Sequence, residues 1–214
     1  MEQVKSIIAV YESHCLIREV NENGISSPSL LSDQSLKEIF KFLNKDDILP
    51  EYTFKEFIPK NVLRYNAETG SIVWFTEPTN QYLYFSTSLG IKDGSYPVPY
   101  LLWKYSDNTI SVWALKEEPK SIKDKLYNAP FLNVFNSGKV CMGNVKINDS
   151  NYQFDSLMEN CMKAFWNSTF THTNHNNLVQ GSIISLYEEI LSKDKFPNVW
   201  LTESDQKLKD IINV

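Results

Sequence analysis

"PYLLWKYSDNTISVWAL", residues 99–115, holds two runs of aromatic, aliphatic and β-branched residues on either side of Asp107-Asn108. Such residues suit a pleated surface, and an Asp-Asn pair tolerates the positive φ that a two-residue turn needs. The stretch therefore predicts a β-hairpin. Just upstream, Pro97 and Pro99 lack the amide hydrogen that a central ladder uses, so their own positions are expected outside one.

Working outward, "NVLRYN", "SIVWFT" and "QYLYFS" are short apolar or alternating runs divided by turn-prone residues, the pattern of a meander. At the start of the chain, "KSIIAVYE" and "CLIREVN" read as a strand pair ending at Asn21-Glu22-Asn23-Gly24. Between these regions, "SDQSLKEIFKFLNK" puts Leu36, Ile39, Phe40 and Leu43 on one helical face, with Ser35 and Glu38 at capping-box spacing.

Beyond the hairpin, residues 117–143 read as loop. Phe154, Leu157, Met158, Cys161, Met162, Phe165 and Trp166 then recur at three- and four-residue steps. That spacing predicts an amphipathic helix, with Asp149 and Ser150 available as caps. A further helix is expected over about 181–192, and a short tail helix after Thr202. Strands and helices are segregated along the chain, so the fold class is α+β, not a doubly wound sheet. The 214 residues suit one domain: an N-terminal strand pair over 1–30, a core over about 33–192 and a tail over 193–214.

Composition narrows the function. Apolar residues make up 42% of the chain, enough for a substantial core. Net charge is −5 and the basic residues are scattered, so no electrostatic footprint for direct nucleic-acid binding is expected. The amino terminus lacks a signal-peptide pattern and no run approaches a membrane span, so the expected compartment is the cytoplasm. Three cysteines without paired spacing argue against a disulfide framework. His172 and His175 form an H-x-x-H pair, but no further ligand stands at useful spacing, so no metal is expected. There is no phosphate-cradling glycine-rich loop, and no cofactor is expected.

"FLNVFNSGKVCMG", residues 131–143, carries the candidate chemistry. Cys141 follows a turn and sits among Gly138, Lys139 and Gly143, small residues that leave room for a partner. A reactive cysteine works as thiolate and needs exposure, and Lys139 is a candidate to favour that form. Asn133 lies on the same loop, where its amide can donate to an oxyanion. Core packing is the competing reading for any single cysteine. Cys161, on the apolar stripe, is assigned to the core, and the neighbours His14 and Cys15 to structure.

The asparagine-to-cysteine spacing resembles that of ubiquitin-conjugating enzymes, in which an Asn is followed by an aromatic, a turn with Gly and Val-Cys. Asn133, Phe135, Gly138, Val140, Cys141 and Met142 occupy the matching places. "LYNAPFLNVFNSGKVCMGNVKI", with "AFWNSTFTHTN" and "VLRYN…IVWFT", is similar to protein B of the bacterial, often mobile-element-borne PRTRC system over about residues 60–175. The resemblance implies a ubiquitin-conjugating-enzyme-like meander flanked by helices, with a ubiquitin-like protein, a ThiF-like activating enzyme and a JAB-type peptidase as cassette neighbours. It implies a transferase that holds the ubiquitin-like protein as a thioester on Cys141, with Asn133 steadying the oxyanion or the loop. His172, in the Phe-Thr-His triplet, is either a base or a loop-ordering residue.

The sequence departs from that pattern in two ways. Phe131 and Leu132 stand where the His and Pro of the conjugating triplet would be, and the hairpin of 99–115 looks inserted. A catalytically silent module that binds the ubiquitin-like protein or the activating enzyme is the alternative. A cysteine hydrolase on Cys141 and His172 is the third, for which no orienter of the histidine is evident.

Overall fold

The computed structural model describes residues 6–10, 14–21, 24–32, 35, 57–67, 69–143, 147, 153–172, 178–191 and 193–212. The chain divides into two compact units, residues 1–49 and 50–214. In the first, β1 (Ser6–Val10) and β2 (Cys15–Asn21) pair antiparallel from Ser6↔Glu19 to Val10↔Cys15. Two short strands, β3 (Gly24–Ile25) and β4 (Ser29–Leu30), also pair with β2. The helix expected through Leu36, Ile39, Phe40 and Leu43 lies outside the described residues.

The second unit contains β5 (Val62–Asn66), β6 (Ser71–Thr76), β7 (Thr79–Phe85), β8 (Gly94–Val98), β9 (Tyr100–Ser106), β10 (Thr109–Leu115), β11 (Lys125–Asn128), β12 (Thr169–Phe170) and β13 (Glu203–Lys207). Its helices are α1 (Phe154–Trp166), α2 (Ile183–Ile190) and α3 (Leu208–Ile212). The expected α+β architecture, mostly antiparallel, is what these elements form. No helix among the described residues is long and apolar enough to cross a membrane.

Six strands make an antiparallel sheet in the order β13-β11-β10-β9-β6-β5. The hairpin of 99–115 forms at its centre, Asp107 and Asn108 turning with φ of 50° and 55°. It is an integral part of that sheet: β9 pairs with β6 from Ile72↔Tyr105 to Thr76↔Leu101, taking the place a continuous meander would give to β7. β7 leaves instead to form a separate sheet, β12-β7-β8, in which Pro97 lies on an edge strand where its missing N–H costs nothing.

Alternation along the central strands sends side chains to two cores. Ile72, Trp74, Leu101, Trp103, Tyr105, Ile110, Val112 and Ala114 face one side, against α1 and α2. Val73, Phe75, Leu102, Trp113, Leu115 and Leu126 face the other, where Leu208 and Ile211 of α3 cover them. Burial on both faces is why these runs read as nearly continuous apolar residues.

Three local expectations change. Residues 117–143, read as loop, supply β11 and one further bridge to β10, Ser111↔Lys139. Glu203–Lys207, read as the start of a tail helix, is the polar edge strand β13, with Ser204 and Gln206 turned inward and the helix beginning only at Leu208. α1 starts after Gln153, whose side chain makes no capping bond, while Asp149 and Ser150 lie outside the described residues. Along α1 the predicted stripe is buried, and Cys161 is fully within it.

Candidate functional site

The site is built from the segment that returns from β11 to the sheet. Pro130 begins it, its carbonyl held by the buried Tyr187 hydroxyl at 2.7 Å. Burial, then the neighbouring Tyr96, pushes that phenol's pKa well above its ordinary value, so it stays a donor. Phe131 follows and packs edge-on against Phe165 and Trp166, both at 5.3 Å between centroids. It is almost fully buried, so its ring anchors the loop and leaves the thiol unscreened.

The turn after Leu132 is a small antiparallel clasp. Cys141 N–H donates to the Asn133 carbonyl at 2.8 Å, Val134 bridges Val140, and Phe135 N–H donates to the Lys139 carbonyl at 2.9 Å. The clasp then docks on the edge of β10 that β11 leaves free. Val112 N–H donates to the Gly138 carbonyl and Val140 N–H to the Ile110 carbonyl, at 2.8 and 2.9 Å. Val134 and Val140 are buried, and Cys141 emerges exposed at the end of this added strand.

Gly138 is fixed by two demands. Its φ is +81°, and a Cβ there would lie 2.3 Å from the Trp113 ring. The room that glycine leaves is thus taken by Trp113, whose indole N–H donates to Gln206 at 2.9 Å, and not by an incoming partner. Gly143 differs: among the described residues nothing lies within 4 Å of its Cβ position. Lys139 lines a groove on the second face of the sheet with Lys104, Ser111 and Trp113.

Asn133 is nearly buried and its carboxamide is committed at both ends. Nδ2 donates to the Thr169 carbonyl at 3.1 Å, and Oδ1 accepts from Thr171 N–H at 3.3 Å. The asparagine therefore ties the cysteine clasp to the segment following β12. One residue on, Thr171 Oγ1 lies 2.7 Å from His172 Nδ1. Cys141 and Asn133 of the clasp and His172, some way on in the sequence, thus belong to one hydrogen-bonded chain. His175 lies outside the described residues, and no group of three or more metal-capable side chains occurs among those described.

The threonines of this chain, Thr169 and Thr171, escaped the sequence reading. Their only signal is a polar run after an apolar helix, which any surface loop shares. Chemically, the arrangement offers an accessible thiol on a backbone clamped from both sheet faces.

Across residues 41–204 the sequence matches the profile of prokaryotic E2 family D. No curated protein and no solved structure matches it. With its antiparallel meander, flanking helices and exposed cysteine on the loop between them, the chain belongs to prokaryotic E2 family D, a bacterial family of ubiquitin-conjugating-enzyme-like proteins.

Proposed function

We propose that this protein accepts a ubiquitin-like protein as a thioester on Cys141 and passes it to an amine, as protein B of a PRTRC system in the bacterial cytoplasm. The observation that carries the reading is the exposed thiol at the end of a strand-docked clasp, in a family of conjugating-enzyme-like proteins.

In the first step the Cys141 thiol gives its proton to solvent. Its sulfur attacks the carbonyl carbon of the ubiquitin-like protein's C terminus, held as a thioester on a ThiF-like activating enzyme. A tetrahedral oxyanion forms and collapses, the C–S bond to the activating enzyme breaks, and that enzyme's thiolate leaves. In the second step a neutral amine attacks the same carbon, the bond to Cys141 breaks, and the amine's surplus proton passes through solvent to the departing sulfur. ATP is consumed by the activating enzyme. Asn133, whose carboxamide bonds the backbone at Thr169 and Thr171, steadies the loop. His172, in contact with the Thr171 hydroxyl, orders the segment that follows β12. A JAB-type peptidase would act on the product.

The test mixes the full chain with the ubiquitin-like protein, the activating enzyme and ATP, and separates the products with and without reductant. An ATP-dependent adduct that reductant removes and Cys141→Ala abolishes is expected. An adduct retained in Cys141→Ala moves the chemistry elsewhere. No adduct, with the activating enzyme active in the same tube, leaves a silent binding module.

A further inference from the structure

Lys139 and Cys141 stand on either side of Val140, in an extended segment held along both edges. On one edge Phe135 N–H donates to the Lys139 carbonyl and Cys141 N–H to the Asn133 carbonyl, at 2.9 and 2.8 Å. On the other, Val140 N–H donates to the Ile110 carbonyl at 2.9 Å, and Lys139 bridges Ser111 of β10. Val140 is buried in the core of the first sheet face. Side chains alternate along extended backbone, so Lys139 and Cys141 both turn away from that core, and both are exposed. Two residues of such backbone separate their Cα atoms by about 6.5–7 Å, a span that the four-carbon lysine stem covers. Among the described residues no carboxylate pairs with the Lys139 ammonium. The acids lining its groove have other partners: Asp107 accepts from the Ser106 hydroxyl, and Asp210 from Lys207 N–H.

We infer that Lys139 is a self-modification site, accepting within the same chain the acyl group that Cys141 carries. This rests on the thioester reading of Cys141. Lys139 Nζ, as the neutral amine, attacks the thioester carbonyl carbon on Cys141 Sγ. A C–N bond forms, the C–S bond breaks, and the amine's surplus proton passes through solvent to the departing sulfur. The product is an isopeptide on Lys139 beside a free thiol, and its bulk stands in the way of the next load. No separate site for the amine is needed, because one hydrogen-bonded strand presents both groups on one side. Lys104 supplies the contrast. It lines the same groove but sits on β9 opposite Ser111, two strand spacings or about 9.6 Å from the clasp.

Two measurements on the full chain test the site, one with the ubiquitin-like protein and one without it. In the first, the chain is loaded by the activating enzyme, ATP is then removed, and no amine is added. An adduct that resists reductant should grow as the reducible one fades, at a rate independent of protein concentration, and peptide mapping should place it on Lys139. Lys139→Arg keeps the cation but removes the nucleophile, and should lower the resistant fraction of loaded chain about tenfold. Lys104→Arg should leave that fraction unchanged. In the second, a small acetyl thioester exchanges onto accessible thiols. Acetylation of Lys139 should be about tenfold slower in Cys141→Ala, with Lys104 acetylated equally in both chains. A reducible adduct that never converts, or a resistant one mapped to another lysine, overturns the assignment. So does transfer to a tagged Cys141→Ala chain in the same tube, or Lys139 acetylation that ignores Cys141. If the ubiquitin-like protein never loads, the proposed function falls, while the acetyl thioester still decides whether Lys139 takes an acyl group from Cys141.

Discussion

The two faces of the central sheet hold the cysteine clasp by different means. On the first, Phe131, Val134 and Val140 sink into an aromatic core shared with α1, α2 and β12, where Phe131 meets Phe165, Trp166 and Phe170. On the second, contact is made through one absent side chain: Gly138 lies against Trp113, itself pinned by Gln206 of the polar edge strand. The first face supplies burial and the second supplies fit. Burial tolerates small adjustments because many atoms share it, whereas a fit of one ring against one Cα does not.

The largest expected effect breaks the first face. Phe131→Ala removes a buried ring and should cost about 3–5 kcal/mol, read as a fall in denaturant midpoint at unchanged m. Gly138→Ala attacks the second. The left-handed backbone adds about 1–2 kcal/mol and displacement of the Trp113 ring about 1–3. Trp113→Leu in the same chain should recover only the steric part, and full recovery would show that the backbone conformation costs nothing there.

Asn133→Ala should come next, at about 1–3 kcal/mol, because it strands the Thr171 N–H and the Thr169 carbonyl. Hydrogen exchange at Thr171 should accelerate more than at Val112, whose N–H still donates to the Gly138 carbonyl. Equal acceleration at both sites would mean that the clasp and the 169–172 segment open as one unit.

The smallest effect concerns the ion pair between Lys125 and Glu203 on the outer strands, 2.9 Å long and exposed at both ends. The hydrogen bond and charge of Glu203 raise the Lys125 pKa. A raised lysine pKa contributes stability below the lysine's ordinary value and loses it only as pH rises through the raised one. Solvent screens the pair, so Glu203→Gln should leave the unfolding midpoint at pH 7 unchanged within error. A clear drop would give the edge strand a larger part in holding Gln206 against Trp113.

How much of this was legible in the sequence depends on the range of the forces involved. The 107–108 turn, the α1 stripe and the N-terminal strand pair follow from local chemistry: residues that accept positive φ, and periods of two and 3.6. The Asn133-to-Cys141 spacing is likewise a short-range feature. The second face of the sheet was not legible, because β13 is a charged pentapeptide whose strand state comes from an edge supplied by β11, about 80 residues upstream. The function of Gly138 was misread for the same reason, since its neighbour Trp113 is brought there by pairing across β10.

By itself, then, the sequence determined the α+β class, the 99–115 hairpin, the buried Cys161 and the placing of Cys141 and Asn133 on one loop. Only the tertiary structure decided that β7 leaves the sheet, that Asn133 reaches across to Thr169 and Thr171, and that His172 is joined to the cysteine through them. Backbone and periodic preferences act over a few residues and are written in local order. A side-chain amide finds its partners only after packing has brought two distant segments within 3 Å or so, and no local pattern records that distance.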